Sequence, residues 1–427
     1  MAATLRVLIC VLALLLAPAA TGRRLRGPDA RVSTGAPDEP VGPALPSALR
    51  SANQVPVADT RGSTGARAAA PGVLLRTLEG HTDWVVSATW SPDGRLIAST
   101  GADGTLRLWS ANGTLLKTVA VHPGSWIVGV AWSPDSRKIM SMSDDGSVRL
   151  WGADGALLKT LEGKPSLLEV PYMGPTRAWA SHWSPNGRLI LTPANRTLLL
   201  WDSSGNLLTT LEGHTDWVVS ASWSPDGRLI VSTGADGTLR LWSANGSLLR
   251  TVAVHTGWVV GAAWSPDGGK IVSRDDDGAL RLWSAEGALL KSLEVWYSWL
   301  PDSGSISWSP DGRFLVSIGG DGGFYLWDAT GTLLKALEGH TDVVLSATWS
   351  PDGRMIASTS ADMSLRLWDW TGTPLQILKG HTSGVRSAAW SPDGRTIVST
   401  GEDGTLRLWA VRLDLVTPGT SNLPSTS

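Results

Sequence analysis

The 427-residue chain has almost no cysteine, since Cys10 is the only one and it lies in an apolar stretch near the start. Beyond residue 10 the sequence therefore offers no cysteine for a disulfide framework, a cysteine-ligated zinc site or a thiol nucleophile. It also has no phosphate-binding loop, zinc motif or nucleophile elbow. We accordingly expect no cofactor and no metal.

Net charge is also scarce. The formal net charge is −2, so the chain as a whole is not expected to be drawn to nucleic acid or to a membrane surface. The charge is unevenly spread, because residues 1–70 carry eight Arg against four acidic residues, whereas the remainder carries 28 basic and 34 acidic residues. The two parts are therefore interpreted separately.

The apolar run near the N-terminus is short. It covers the 11 residues from Val7 to Ala17, fewer than the roughly 20 that a transmembrane helix needs. Small residues follow it at Ala19 and Ala20. This pattern predicts a signal peptide over residues 1–20 and a secreted or lumenal protein. An uncleaved membrane anchor and an organelle transit peptide are the alternatives, and without a functional signal the protein would be cytoplasmic.

Residues 21–70 are rich in Ala, Gly, Pro, Ser and Arg and show no hydrophobic periodicity. Such a segment has too little apolar content to offset the entropy of ordering, which predicts a disordered linker. We predict a folded domain over residues 71–410 and a flexible tail over residues 411–427.

What the chain has in abundance is a repeat. A Trp-Ser-Pro-Asp-Gly motif or close variant recurs at intervals of 40 to 51 residues and begins at Trp90, Trp132, Trp183, Trp223, Trp264, Trp308, Trp349 and Trp390. A second tryptophan ends a strand-like segment in each repeat, at Trp109, Trp151, Trp201, Trp242, Trp283, Trp327, Trp368 and Trp409. This period and pattern indicate four strands per unit.

The residues between these tryptophans favour antiparallel sheets. Ser91-Pro92-Asp93-Gly94 is typical of a type I turn, and Asp103-Gly104 and Asn112-Gly113 are typical of tight hairpins. The segments between the turns are β-branched or apolar and too short for helices. One four-stranded sheet cannot bury its faces or protect its edges, but several sheets stacked around an axis can.

The pattern Gly-His, then Trp-Ser-Pro-Asp-Gly, then Asp-Gly and Leu-Trp resembles that of the WD-repeat (WD40-type) β-propellers, from residue 73 to about residue 410. The resemblance implies an all-β fold, an eight-bladed propeller of four-stranded antiparallel sheets. The segment from Val73 to Leu78 precedes the first inner strands, so we expect it to pair with the last set and close the ring. The segment from Ala410 to Val416 competes for that edge.

Six repeats contain His, Ser, Asp and Trp in the same order, which could be mistaken for a catalytic Ser-His-Asp set. A catalytic centre is not needed six times, and the resemblance implies a buried hydrogen-bond network instead, because a buried Asp and His must satisfy each other. We predict structural tetrads: His81, Ser99, Asp103, Trp109; His122, Ser141, Asp145, Trp151; His214, Ser232, Asp236, Trp242; His255, Ser273, Asp277, Trp283; His340, Ser358, Asp362, Trp368; and His381, Ser399, Asp403, Trp409.

The third and sixth repeats break this pattern. Lys164 and Val295 replace the His, and Asn195 lies near the Asp position of the third repeat. The connections before the inner strands of these repeats should emerge on the top face of the ring and carry five aromatics, Tyr172, Trp179, Trp296, Tyr297 and Trp299. They are candidates for binding a partner or ligand, or else they fill the gap left by the missing His or cap the channel.

Four more tryptophans precede a Trp-Ser-Pro tryptophan by six residues, namely Trp84, Trp126, Trp217 and Trp258. On the top face they could stack on sugars or grip apolar peptide side chains. The alternative is that each packs on the neighbouring blade as an ordinary repeat residue. Asn112, Asn195 and Asn245 each begin an Asn-x-Ser/Thr sequon and are candidate glycosylation sites if the chain enters a eukaryotic secretory pathway.

We predict a non-catalytic scaffold that mediates protein–protein interaction through the propeller top face. This rests largely on the resemblance, because a fold does not determine a function. The alternative is a secreted binder of carbohydrate or another small ligand that uses the top-face aromatics. An enzyme would need a unique polar cluster at the channel, which the sequence does not reveal. We expect protein partners or carbohydrate, no nucleic acid, and a membrane only if the N-terminal segment is an uncleaved anchor.

Overall fold

A computed structural model describes residues 73–121, 126–143, 146–161, 182–253, 257–276, 278–293, 305–319 and 322–411. The predicted signal peptide, the predicted linker and residues 412–427 of the predicted tail lie outside the described residues. The regular secondary structure of the described residues consists of strands β1–β32, and these residues include no helix long and apolar enough to cross a membrane.

Each blade is a sheet of four strands, called a to d from the centre outward. The a strands are Val85–Trp90 (β2), Ile127–Trp132 (β6), His182–Trp183 (β10), Val218–Trp223 (β14), Val259–Trp264 (β18), Ile306–Trp308 (β22), Val344–Trp349 (β26) and Val385–Trp390 (β30). The b strands are Leu96–Gly101 (β3), Lys138–Ser143 (β7), Leu189–Ala194 (β11), Leu229–Gly234 (β15), Lys270–Asp275 (β19), Phe314–Ile318 (β23), Met355–Ser360 (β27) and Thr396–Gly401 (β31).

The c strands carry the second tryptophan of each repeat, and the d strands lie outermost. The c strands are Thr105–Ser110 (β4), Val148–Gly152 (β8), Thr197–Asp202 (β12), Thr238–Ser243 (β16), Leu280–Ser284 (β20), Phe324–Asp328 (β24), Ser364–Asp369 (β28) and Leu406–Ala410 (β32). The d strands are Val73–Leu78 (β1), Leu115–Ala120 (β5), Leu157–Leu161 (β9), Leu207–Leu211 (β13), Leu248–Ala253 (β17), Leu289–Leu293 (β21), Leu333–Ala336 (β25) and Pro374–Lys379 (β29).

The strands pair as eight separate antiparallel sheets. Blades 1 to 7 each use four consecutive strands, from β2–β5 to β26–β29, and blade 8 has the order β1-β32-β31-β30. The a strands of neighbouring blades meet, so that β2 contacts both β6 and β30. The predicted all-β, eight-bladed propeller is therefore confirmed.

The N-terminal strand closes the ring. Val73 pairs with Ala410 and Leu78 with Leu406, so β1 is the outer strand of blade 8. Of the competing segment, Ala410 is the end of β32 and residues 412–416 lie outside the described residues, so the strand shown on this edge is β1. Leu78 is 2% exposed and packs between blades 8 and 1 with Val85, Trp90 and Leu408.

The hydrophobic core lies between the blades. Eight clusters of buried residues are present, and each joins two neighbouring blades, including blade 8 to blade 1. Indole groups also bond across these interfaces. Trp132 Nε1 donates to the Thr89 carbonyl at 3.4 Å, and Trp349 Nε1 donates to the Ser307 carbonyl at 3.1 Å. A blade therefore obtains its core only from its neighbours.

Every d strand contains a β-bulge near its start. In β1 the pairing with β32 jumps from Leu74 to Arg76, so that Leu75 is the extra residue, and the other seven d strands show the same shift. The bulged residue is leucine in every blade, and Leu75 is 56% exposed. The outer wall of the ring thus carries leucines on interrupted strand edges.

Candidate functional site

The tetrad of blade 1 links three parts of the blade. Trp109 Nε1 on β4 donates to Ser99 Oγ on β3 at 2.9 Å. Ser99 Oγ lies 2.9 Å from His81 Nε2, and His81 Nδ1 lies 3.0 Å from Asp103 Oδ2. Because the serine oxygen already accepts from the indole, its own proton can go to His81. A neutral His81 with its proton on Nδ1 then donates to Asp103, and this proton arrangement satisfies the Trp109 indole, the Ser99 hydroxyl and both His81 nitrogens.

Burial and hydrogen bonding fix the charges of this tetrad. Burial lowers the pKa of His81, against the raising effect of Asp103. Burial acts to raise the pKa of Asp103, but hydrogen bonds from His81 and Thr105 outweigh it and hold that pKa well below its usual range. The resulting state at neutral pH is a neutral imidazole beside a carboxylate.

The same arrangement cannot work as a hydrolytic centre. Ser99 is completely buried and Trp109 is 2% exposed, so no substrate carbonyl can reach the serine oxygen. A nucleophile must instead lie open to its substrate at attack distance. The Ser-His-Asp order therefore serves the blade as a hydrogen-bonded clamp.

Other blades share this geometry in whole or in part. His214 lies 2.8 Å from Ser232 Oγ, and His340 and His381 make the same contacts at 2.8 Å with Ser358 and Ser399. Bonds from Trp242, Trp368 and Trp409 to these serines complete the sets. In the second and fifth sets the described parts are Trp151 bonded to Ser141 and Trp283 bonded to Ser273. His122, Asp145, His255 and Asp277 lie outside the described residues.

The two repeats that depart from the pattern keep half of the network. Trp201 Nε1 donates to Thr192 Oγ1 and Trp327 Nε1 to Ser317 Oγ, both at 2.9 Å. Asn195 occupies a left-handed backbone position with φ 54°, and Lys164 and Val295 lie outside the described residues. A hydroxyl bonded to the c-strand indole is thus the element that all eight blades share.

The comparison with protein families agrees with this repeat. The model of the WD domain, G-beta repeat, matches residues 72–110, 113–152, 205–243, 246–284, 302–328, 331–369 and 372–410, which is more than half of the chain. The chain belongs to the WD40 family. The seven matches leave residues 153–204 unmatched, the repeat with Thr192 and Asn195, yet β10–β13 form the same four-stranded blade of the WD40 ring.

Individual relatives share only part of this WD40 protein. The Nuclear distribution protein PAC1 of Arthroderma benhamiae is 30% identical over 165 residues, which cover 39% of this chain and 30% of that protein. The human WD repeat and SOCS box-containing protein 1 is 44% identical over 57 residues, 12% of this chain and 14% of that protein. The chain therefore spans less than a third of the length of these relatives.

A solved structure extends the comparison of the fold. The C-terminal WD40 domain of Sif2 superposes with a TM-score of 0.67 at 21% identity, covering 80% of this chain and 99% of that one. At this identity the similarity concerns the fold alone. The family is in general one of non-catalytic scaffolds, and its members act by binding other proteins.

The four repeated tryptophans lie at one end of the ring, which we call the top face, beside the b–c turns. The Trp84 carbonyl accepts from the Ala102 N–H at 2.9 Å, and Trp217 and Trp258 make the equivalent bonds. Trp84 and Trp126 are 37% and 40% exposed, whereas Trp217 and Trp258 are only partly exposed. Tryptophans at equivalent positions of the repeat thus differ in their exposure to solvent. Tyr172, Trp179, Trp296, Tyr297 and Trp299 lie outside the described residues.

The structure brings Trp84 onto a polar cluster that sequence reasoning missed. The guanidinium carbon of Arg386, on β30 of blade 8, lies 4.6 Å from the centre of the Trp84 ring. Arg386 Nη2 lies 2.8 Å from Glu402 Oε1. We call Trp84, Arg386 and Glu402 the Arg386 cluster. An available signal was the repeat itself, because the position of Arg386 holds only apolar residues in five other blades, Val86, Val128, Val219, Val260 and Leu345.

A second missed residue is His182 on the a strand of blade 3. It stands at a position that holds small residues in other blades, such as Thr89 and Ala131. Its ring is partly exposed, yet burial among the packed strands lowers the pKa of His182 to about 4. His182 is therefore neutral at physiological pH and adds no charge to the innermost strands.

The three sequon asparagines are all exposed. Asn112 and Asn245 lie in c–d turns, where Asn112 Oδ1 accepts from the Thr114 hydroxyl at 2.9 Å and Asn245 Oδ1 accepts from the Ser247 N–H at 3.3 Å. Asn195 lies in the b–c turn of blade 3, and its carbonyl accepts from the Val218 N–H of blade 4. Glycosylation at these three exposed asparagines stays a prediction.

Proposed function

We propose that this protein is a non-catalytic scaffold that binds a protein partner through the top face of the propeller. One observation carries the proposal: among the described residues the exposed aromatic side chains are Trp84 and Trp126. They occupy equivalent places in adjacent blades, at the same end of the ring. Exposed tryptophans on a rigid support are typical centres of binding energy in protein interfaces.

The buried tetrads also support this function, because they make the surface that binds the partner rigid. In blades 1, 4, 7 and 8 they tie the b and c strands to the segment that enters the blade, which stiffens the support of the top face. A partner that binds a preorganised surface loses less conformational entropy at the interface.

The test is affinity capture of partners from the native source with two matched baits. In the double variant Trp84→Ser and Trp126→Ser we expect capture to fall by about tenfold or more, since hot-spot truncations cost 2 kcal/mol or more. The control is Leu75→Ser with Leu116→Ser, which removes exposed apolar area on the outer wall, where both leucines are 56% exposed. Equal capture by the tryptophan variant and the wild type would contradict the top-face assignment.

Carbohydrate binding is the second candidate, favoured by the exposed faces of the same indoles, because sugars stack on flat aromatic rings. A glycan array probed with the wild type and the tryptophan variant tests it. Glycan signals lost only in that variant would support this function, and an array without signal would reject it.

We also propose that the protein is secreted or lumenal, on the basis of the apolar run from Val7 to Ala17 and the small residues that follow it. Mass spectrometry of the N-terminus of secreted protein should find it just after Ala19 or Ala20. An intact Met1 terminus on protein that stays in the cytoplasm would exclude this.

A further inference from the structure

The Arg386 cluster breaks the symmetry of the repeat at a single junction, that between blades 8 and 1. Glu402 stands where blades 1, 4 and 7 have alanine and blades 2 and 5 have the shorter acids Asp144 and Asp276, so that an Arg–Glu combination at these two positions is found in blade 8 alone. The cluster lies where the ring closes, because β2 of blade 1 contacts β30 of blade 8 and Trp84 immediately precedes β2. A feature that one copy of a repeat has and the others lack is not needed for the fold, which requires only the shared residues.

Arg386 is paired incompletely. Its side chain is only 9% exposed, and its one ion pair uses Nη2. The Nε and Nη1 atoms are shielded from water and have no hydrogen-bond partner among the residues that the structure describes. Unsatisfied buried donors are costly, and those of a charged group most of all. The Nε and Nη1 donors of Arg386 are therefore available to donate hydrogen bonds to the acceptor oxygens of a ligand.

Trp84 selects the charge of what can bind beside it. The cation of Arg386 already lies against one face of the indole, at a distance where the ring attracts a positive charge. A second cation on the free face would be repelled by Arg386. A carboxylate is attracted to Arg386 instead, and it would reach the shielded donors by displacing Trp84, which is 37% exposed.

We propose that the Arg386 cluster binds a carboxylate of the protein partner, an acidic side chain whose oxygens accept from the free Nε and Nη1 donors of Arg386. This inference rests on the proposed function of the top face and names the chemistry that one junction recognises. Glu402 holds the guanidinium in place through Nη2 and, as a like charge, limits the affinity for the incoming carboxylate. Ser383 supports Glu402 with a hydroxyl 3.4 Å from its Oε2.

The test follows the Arg386 Nε–H signal by NMR in the full-length protein. The signal is assigned by its disappearance in Arg386→Lys. The probes are N-acetylglutamate N-methylamide, its glutamine analogue and its lysine analogue. We expect a saturable shift with the glutamate probe, at an affinity about tenfold or more above that for glutamine, and no shift with lysine. Equal responses to the three probes, or an unmoved Arg386 signal, would overturn the proposal.

Variants separate recognition from a purely structural role. Glu402→Gln should bind the glutamate probe several-fold more tightly, because a competing negative charge is gone. If Glu402 and Arg386 only stabilise the blade, the same change would loosen Arg386 and weaken or abolish the response. The control is Arg395→Gln, an exposed arginine in the a–b turn of the same blade, which should leave the response unchanged.

Failure of this inference can be told apart from failure of the proposed function. If partner capture depends on Trp84 and Trp126 but the Arg386 signal does not respond to the glutamate probe, the top face binds proteins without recognising a carboxylate at Arg386. If the glutamate probe binds but partner capture ignores both tryptophans, the site is real and the proposed interface is wrong.

Discussion

Burial and the hydrogen bond from Trp109 distinguish the Ser99, His81 and Asp103 set from a catalytic centre. The proton order is the one a hydrolase uses, yet the indole N–H of Trp109 occupies the serine oxygen and the packed blades cover it. The lowered pKa of His81 keeps the imidazole neutral and able to accept from Ser99. Side chains of types that are often catalytic thus form a buried hydrogen-bond network that holds the strands of the blade together.

Replacing Asp103 by alanine tests this clamp. Asp103→Ala leaves the His81 Nδ1–H and the Thr82 N–H without their acceptor, which should lower the free energy of unfolding by about 1–3 kcal/mol. Chemical denaturation monitored by circular dichroism measures it. Glu338→Ala, at an exposed position, is the control and should change stability by no more than about 0.5 kcal/mol. An Asp103→Ala variant as stable as this control would rule out the clamp.

The b–c turn of blade 7 has a methionine at a left-handed backbone position where equivalent turns have glycine. The b–c turns of blades 1, 4 and 8 place Gly104, Gly237 and Gly404 at φ values of 70° to 74°, whereas blade 7 has Met363 at φ 64°. A side chain in this left-handed region costs about 1–2 kcal/mol. The Met363 side chain is 47% exposed, so it offsets little of that cost by packing.

Met363→Gly should therefore stabilise the protein by about 1 kcal/mol, the strain released less the chain entropy that glycine adds. Thermal denaturation would show the gain as a higher melting temperature. The reverse change in an equivalent turn, Gly404→Met, should lower it. A Met363→Gly variant that melts earlier than the wild type would mean that Met363 makes contacts worth more than its strain.

Closure of the ring depends on the six residues of β1, which are distant in sequence from the β32 strand with which they pair. Deleting residues 1–72 leaves β1 in place, whereas deleting residues 1–78 uncovers the edge of β32 and removes Leu78 from the core between blades 8 and 1. Loss of that leucine alone should cost about 2–5 kcal/mol. The shorter protein should melt well below the longer one in matched scans. Identical melting temperatures would show that β1 does not hold the ring.

The fold could be predicted from the sequence because the blades repeat glycine-containing turns and a tryptophan on strands a and c, and because one extra outer strand precedes the first blade. The Arg386 cluster could not, because Trp84 and Arg386 are 302 positions apart and meet only through closure. Identical repeats face different neighbours, and the neighbour decides how a shared residue is used.

The bulge in every outer strand should limit the pairing of strand edges between molecules in a concentrated solution. Eight outward edges with unpaired amides would ordinarily act as templates on which further molecules polymerise. Here an extra leucine such as Leu75 or Leu116 kinks each edge, so two walls that touch can align only a short stretch of backbone. Collisions are therefore limited to brief side-chain encounters, and a concentrated solution of these rings should remain fluid rather than form fibres.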